Sequence, residues 1–215
     1  MRIISIHSNK HYTASAIIFV WMLLCLCGCS KDEDDSIPAY KIDLVEADTN
    51  HEGMVSVIRF DDGVTYTIDQ QITAETADTT YRCMCTYAID ANQKLSVYGL
   101  SHVFSANPRP RAEFKTGAYD PVNLTSCWKS GGYLNLWIGL LTTDVGSHRF
   151  GFCEDSVVNR DGYQKVYFTL MHGRPQEDAE SYTKDLFLSI PLKQYTCDSV
   201  CIRVQTYEGW QQIAR

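Results

Sequence analysis

Hydrophobic and polar positions divide this chain into one apolar run and a long succession of alternating segments. The run is Ala14 to Cys27, fourteen residues in which Ser15 is the one polar position. Crossing a bilayer takes roughly 20 apolar residues, so this length fits the h-region of a secretory signal better than a membrane span. Arg2 and Lys10, with no acidic residue near them, supply the positive n-region. Ser30 to Pro38 then turns polar and acidic. Such a stretch cannot bury enough apolar area to fold and is expected to be a flexible tether.

Alternation begins after Tyr40 and predicts strands at Lys41–Ala47, Met54–Phe60, Val64–Ile68, Thr80–Ile89 and Lys94–Ser105. Asp61-Asp62-Gly63 joins the second and third, because aspartate and glycine tolerate the positive φ of a tight hairpin. Five strands suffice for a small OB-like barrel, and an SH3-like barrel fits equally well. In Asn107-Pro108-Arg109-Pro110-Arg111 two prolines lack backbone donors, so no paired strand is expected to cross this point. Further strands are predicted at Val122–Lys129, Tyr133–Thr143, Ser147–Val157, Tyr163–His172, Leu186–Ile190, Ser199–Tyr207 and Trp210–Ile213. Tyr133 to Leu141 is apolar on both alternating sets, which predicts a central strand covered on two sides. The reading is all-β. An N-terminal five-stranded OB-like barrel (40–107) is followed by a C-terminal seven-stranded β-sandwich (108–215).

Cysteine sharpens the view of the N-terminus. Leu26-Cys27-Gly28-Cys29 resembles the lipobox of bacterial lipoproteins, with a branched aliphatic residue at −3, a small one at −1 and the cysteine that receives diacylglycerol. Cys25 and Cys27 are preceded by leucines and fit less well. Residues 1–28 are therefore expected to be removed, and Cys29 to carry the lipid that holds the chain to a membrane. The acidic run after it, Ser30-Lys31-Asp32-Glu33-Asp34-Asp35, resembles the signal that sends lipoproteins to the outer face of the outer membrane in Bacteroidetes. The whole chain carries −7. Loss of Arg2 and Lys10 with the leader makes the remainder more acidic still, the wrong sign for gripping phosphate backbones, so nucleic acid is excluded as a partner. Cys83, Cys85, Cys127, Cys153, Cys197 and Cys201 remain. Outside the cytoplasm they can pair, or they can serve as small buried hydrophobes, and sequence does not choose.

Candidate chemistry is sparse. Ser126-Cys127-Trp128-Lys129 and Lys115-Thr116-Gly117 imitate penicillin-binding motifs. The first lies in a strand, where positions three apart face opposite ways, and the second precedes it instead of following. Cys83-x-Cys85 and Cys197-x-x-x-Cys201 lack zinc-knuckle spacing, and His148 and His172 read as a polar pair on adjacent strands. The acidic clusters Asp61-Asp62, Glu154-Asp155 and Glu177-Asp178 with Glu180 read as solvated turns. No catalytic residue, cofactor or metal is expected. An OB-like barrel would bind through its central strands, where Arg59 and Tyr66 should lie beside Asp61 and Asp62 on one mixed-charge face.

The lipobox with its acidic tether, Phe60-Asp61-Asp62-Gly63, Tyr133-Leu134-Asn135-Leu136, Leu170-Met171-His172-Gly173 and Ser189-Ile190-Pro191-Leu192 resemble the NigD-like lipoproteins of Bacteroidales. The resemblance spans the mature chain. It implies an OB domain followed by a β-sandwich, no catalytic residues, and a role like bacteriocin immunity. In the shared Tyr133–Leu136 run, Asn135 is expected to bond a neighbouring loop backbone. The function expected is a non-catalytic lipoprotein, anchored in the outer membrane and exposed at the surface, that binds a protein or glycan. An envelope hydrolase, or an accessory subunit of an outer-membrane assembly, remains open at this point.

Overall fold

The computed structural model describes residues 39–74, 76–114, 117–175 and 182–215. The signal, Cys29 and the Ser30–Asp35 run lie outside the described residues, as do Lys115, Thr116, Glu177, Asp178 and Glu180. Tyr40–Arg215 forms one compact unit. Among the described residues no helix is long and apolar enough to cross a membrane.

The unit is all-β. Strands β1 (Lys41–Thr49), β2 (Val55–Phe60), β3 (Thr65–Thr67), β4 (Thr80–Ile89) and β5 (Leu95–His102) form one antiparallel sheet in the order β3-β2-β1-β4-β5. Alternation does the sorting. Val45, Ala47, Ile58, Cys83, Cys85 and Val97 point to a buried core on one face, while Glu46, Arg59 and Arg82 sit opposite one another in register on the other. The two edges are joined by a side chain in place of a strand. The Gln70 amide donates to the Val97 carbonyl at 3.0 Å and accepts from the Val97 N–H at 2.7 Å, the pairing a neighbouring backbone would make.

The remainder is two facing sheets. Strands β6 (Phe104–Ser105), β12 (Tyr182–Pro191), β9 (Tyr133–Thr142) and β8 (Asn123–Ser130) form one; β14 (Gly209–Ala214), β13 (Ser199–Thr206), β11 (Tyr163–Gly173), β10 (Arg149–Arg160) and β7 (Arg109–Pro110) form the other. Leu134, Leu136, Ile138, Phe152, Phe168, Leu188, Ile190 and Ile202 fill the layer between them, each buried. Strand β9 is flanked by β8 and β12 and buried along almost its whole length, as its two apolar sets predict.

The proline segment departs from expectation. Arg109 and Pro110 pair with Cys153 and Glu154 of β10 in parallel, and Phe104 and Ser105 have already joined β12. Both short strands sit at sheet edges, where a residue without an N–H can turn its bare side outward. Glu154-Asp155 is also not a turn. It lies inside β10, at a bulge where Asp155 is the extra residue. All six described cysteines are free thiols and five are buried. Burial pushes Cys83, Cys127 and Cys153 up to about 11 and Cys85 to about 12, so they stay protonated and act as packing.

Candidate functional site

The outer face of the first sheet lies against the outer face of the β6-β12-β9-β8 sheet, and a ring of polar side chains centred on Arg82 joins them. Arg82 is almost completely buried, with its guanidinium forked onto Asp61 at 2.5 and 2.8 Å. It also donates to Asn135 Oδ1 at 3.2 Å and to Ser189 Oγ at 3.4 Å. Ser189 donates onward to Asn135 at 2.7 Å, Asn135 Nδ2 to Ser130 at 2.9 Å, and Ser130 to Asp61 at 2.5 Å. Every member is thus both held and satisfied, which a buried charge requires. The Tyr133 ring lies beneath the guanidinium, 4.2 Å from its carbon. Gly131, in the β8–β9 turn at φ 58°, leaves room for Asp61; an added Cβ would collide with that carboxylate.

A second polar cluster adjoins the first. Glu46 accepts from Tyr133 Oη at 2.7 Å, from Lys193 Nζ at 2.7 Å and from Arg59. Burial alone would push its carboxyl up. Lys193, Tyr133 and Arg59 outweigh that and hold it at about 2, so it is ionised at any physiological pH.

Three of the motifs behind the family resemblance therefore meet in space. Asp61 of the first hairpin, Asn135 of Tyr133–Leu136 and Ser189 of Ser189–Leu192 all contact Arg82. Asn135 does not bond a loop backbone, as expected from sequence; its partners are side chains from three other segments. The expected face of Arg59 and Tyr66 is not formed either. Thr65 opposes Arg59, and Tyr66 opposes the buried Ile58. Tyr66 therefore packs edge-on to Phe60 at 5.8 Å on the core side, while Arg59 points the other way to Glu46 and Asp48. Adjacent positions of a strand alternate, and that periodicity separates them.

His148 and His172 do meet, through Nδ1 and Nε2 at 2.8 Å. His172 Nδ1 faces the Asp120 carbonyl at 2.9 Å and must donate to it, so its Nε2 accepts from His148. His148 Nε2 then accepts from Thr142 Oγ1 at 3.0 Å. Burial holds His172 below the usual histidine range, and Phe150 stacks on it at 5.0 Å. The pair is spent on structure. Ser126 and Lys129 stand three positions apart on β8, facing opposite ways. Among the described residues no group of three or more His, Cys, Asp and Glu could hold a metal.

Beside the Arg82 ring the two outer faces part to leave a groove of about 450 Å³. Ile42, Leu44 and Met84 of the outer face line one wall, joined past the end of β2 by Phe60 and Tyr87 from the core side; Trp128, Ser130 and Phe187 line the other, and Asp43, Asp61 and Asp62 the rim. Trp128 meets Phe187 edge-on at 6.4 Å, and Tyr87 donates to Asp43 at 2.7 Å. Among the described residues no Lys or Arg lines it. Sequence reading missed this groove because its walls come from strands far apart in the chain, Ile42 to Tyr87 on one side and Trp128 to Phe187 on the other. The sequence signal that does exist is Met84, an apolar residue on the face of β4 that alternation assigns to polar Thr80, Arg82 and Thr86.

Comparison with known proteins settles the family. Residues 107–214 match the model of the NigD-like C-terminal beta sandwich domain. The chain belongs to the NigD-like family. Its fold is similar to that of a NigD-like immunity protein from Bacteroides caccae, at 23% identity and a TM-score of 0.62 over 83% of this chain and 92% of that one. A protein of unknown function from Bacteroides vulgatus is similar at 11% identity and a TM-score of 0.63, covering 82% and 90%. A Bacteroides fragilis protein provisionally described as a lipoprotein follows at 12% and 0.57, covering 82% and 96%. At these identities the likeness concerns the fold. No curated protein matches the chain.

Proposed function

We propose that this chain is a non-catalytic, lipid-anchored envelope protein that recognises a protein partner. The observation that carries the reading is the groove between the two outer faces. It gathers aromatic and carboxylate side chains where a partner can reach them, while the paired histidines are consumed by the fold. Aromatic side chains in a partly desolvated cleft are the usual anchors of protein recognition. The lipobox supports the anchor at Cys29, and the Ser30–Asp35 run supports export to the cell surface. The Bacteroides caccae relative is described as a NigD-like immunity protein.

Four experiments on the parent chain and its variants test the reading. Cys29→Ser should abolish acyl labelling and partition into the detergent phase, since stable anchoring takes two or more buried chains. Alanine replacement of Asp32, Glu33, Asp34 and Asp35 should leave the lipid in place but lower protease accessibility on intact cells. The purified protein should show no turnover of ester, peptide or glycoside substrates, whereas in-cell cross-linking should attach a discrete protein at Trp128 or Phe187. Turnover abolished by a single substitution of His148, His172 or Ser126 would replace the binding reading with an enzyme.

A further inference from the structure

The first strand is paired unequally on its two sides. On one side β4 accompanies it from Lys41 to Asp48. On the other, β2 accompanies it from Val45 to Thr49, because β2 ends at Phe60, opposite Val45. Lys41, Ile42, Asp43 and Leu44 therefore overhang, and among the described residues no strand pairs with their free side. Ile42, Asp43 and Leu44 of that overhang line the groove, and Lys41 lies outside it. Ile42 there is 63% exposed, an unusual position for an isoleucine in the middle strand of a sheet.

A strand edge presents unpaired N–H and C=O groups at the spacing of another strand, and folds ordinarily cover or blunt such edges. Here the edge is left open beside apolar side chains. A strand laid against Lys41–Leu44 would gain backbone hydrogen bonds from β1. Its alternate side chains would enter the space between Met84, Trp128 and Phe187. The remaining positions would face Asp43 and Asp62, since Asp61 is already committed to Arg82. With carboxylates at the rim and no cation in the lining, the matching side chains are Lys and Arg. The chain's own acidic stretch, Asp32 to Asp35, carries the wrong sign for this place.

We propose that the groove takes up an extended segment of a protein partner as an added β-strand on Lys41–Leu44, with apolar and basic side chains alternating along it. This rests on the partner-binding reading and names the chemistry of that partner. Edge addition of this kind draws affinity from main-chain bonds and selectivity from alternate side-chain pockets.

The test uses the full mature chain carrying Cys29→Ser, so that it is soluble without lipid, and a phage-displayed library of random ten-residue peptides. Selection should enrich sequences alternating Val, Ile, Tyr or Phe with Lys or Arg and lacking central proline. A synthetic peptide from the enriched pool should slow amide exchange in Lys41–Leu44 at least tenfold. N-methylation of its alternate amides, or Met84→Arg in the protein, should weaken binding at least tenfold. Asp43→Asn with Asp62→Asn should weaken it several-fold and flatten its salt dependence. Thermal unfolding of each variant establishes that it is folded; Leu44→Lys, at the same wall, stands in for Met84→Arg should that variant not fold. Enrichment of acidic sequences, no enrichment, or binding that leaves Lys41–Leu44 exchange unchanged would overturn the proposal. If a cross-linked envelope partner is retained by both Met84→Arg and Leu44→Lys, the groove is the wrong site while partner binding itself stands. If no envelope partner is captured by the parent or the variants and no peptide is enriched, both readings fall.

Discussion

Arg82 holds together three segments that are far apart in the chain, and its loss should be felt at all of them. Arg82→Ala would leave Asp61 and Asn135 without their shared donor in a place where water cannot fully replace it. Removing one partner of a buried pair costs about 3–5 kcal/mol, and a denaturant titration should show a loss of that order. Gly131→Ala should fail by a related route, pushing Asp61 off the guanidinium; a loss of about 2 kcal/mol or more is expected from the displaced pair and the strained φ together. Glu46 sets an acid limit. Its carboxyl is held at about 2 in the fold, below its unfolded value, so the stabilisation is complete above the unfolded value and disappears as pH falls towards 2. Glu46→Gln should flatten that part of the pH–stability curve. His172 acts in the same direction nearer neutrality: burial keeps it neutral, and the unfolded chain takes up a proton first as pH falls, so stability drops below the ordinary histidine range. At this scale the sequence was partly legible. Asp61, Asn135 and Ser189 stood out through their motifs, but Arg82 did not. An arginine in an alternating strand reads as solvent-facing until another sheet is known to cover it.

Strand periodicity located most long elements to within about three residues, because alternation records burial and burial sets the strand; it missed the first four residues of β12 and ran β5 and β6 together as one strand. The two-residue strands β6 and β7 left no such record. Two positions carry no period, and the prolines beside β7 pointed towards a break. Closure of the first sheet was illegible for a different reason. Gln70 looks like any loop glutamine, yet its amide stands where a sixth segment of backbone would be. Gln70→Ala removes both bonds and should cost about 1–2 kcal/mol. It should also raise amide exchange at Val97 and in β3 while leaving the sandwich strands unchanged. Equal loss of protection across the whole chain would show that Gln70 supports more than the local seam.

Across the whole molecule, the polar ring makes the two β layers interdependent. Unfolding should appear as one transition by fluorescence and by circular dichroism, and Arg82→Ala should separate it into two, the β6–β14 sandwich melting last. Proteases should cut slowly at Asn107 to Arg111 in the native protein, because Pro108 is buried and Arg109–Pro110 is paired to β10; rapid cleavage there would mean the segment opens independently. The position of β1 has a mechanical consequence. It is the described strand nearest the proposed lipid attachment; from Val45 to Thr49 it runs beside β2, while Lys41–Leu44 is flanked among the described residues by β4 alone. With the proposed partner strand added on its open side, a drag on that partner would pull along β1 against two neighbours at once. Hydrogen bonds on both flanks would be loaded in shear together, whereas an edge strand would peel away one bond at a time. A load entering through the proposed lipid attachment would then be carried by a strand held on both flanks.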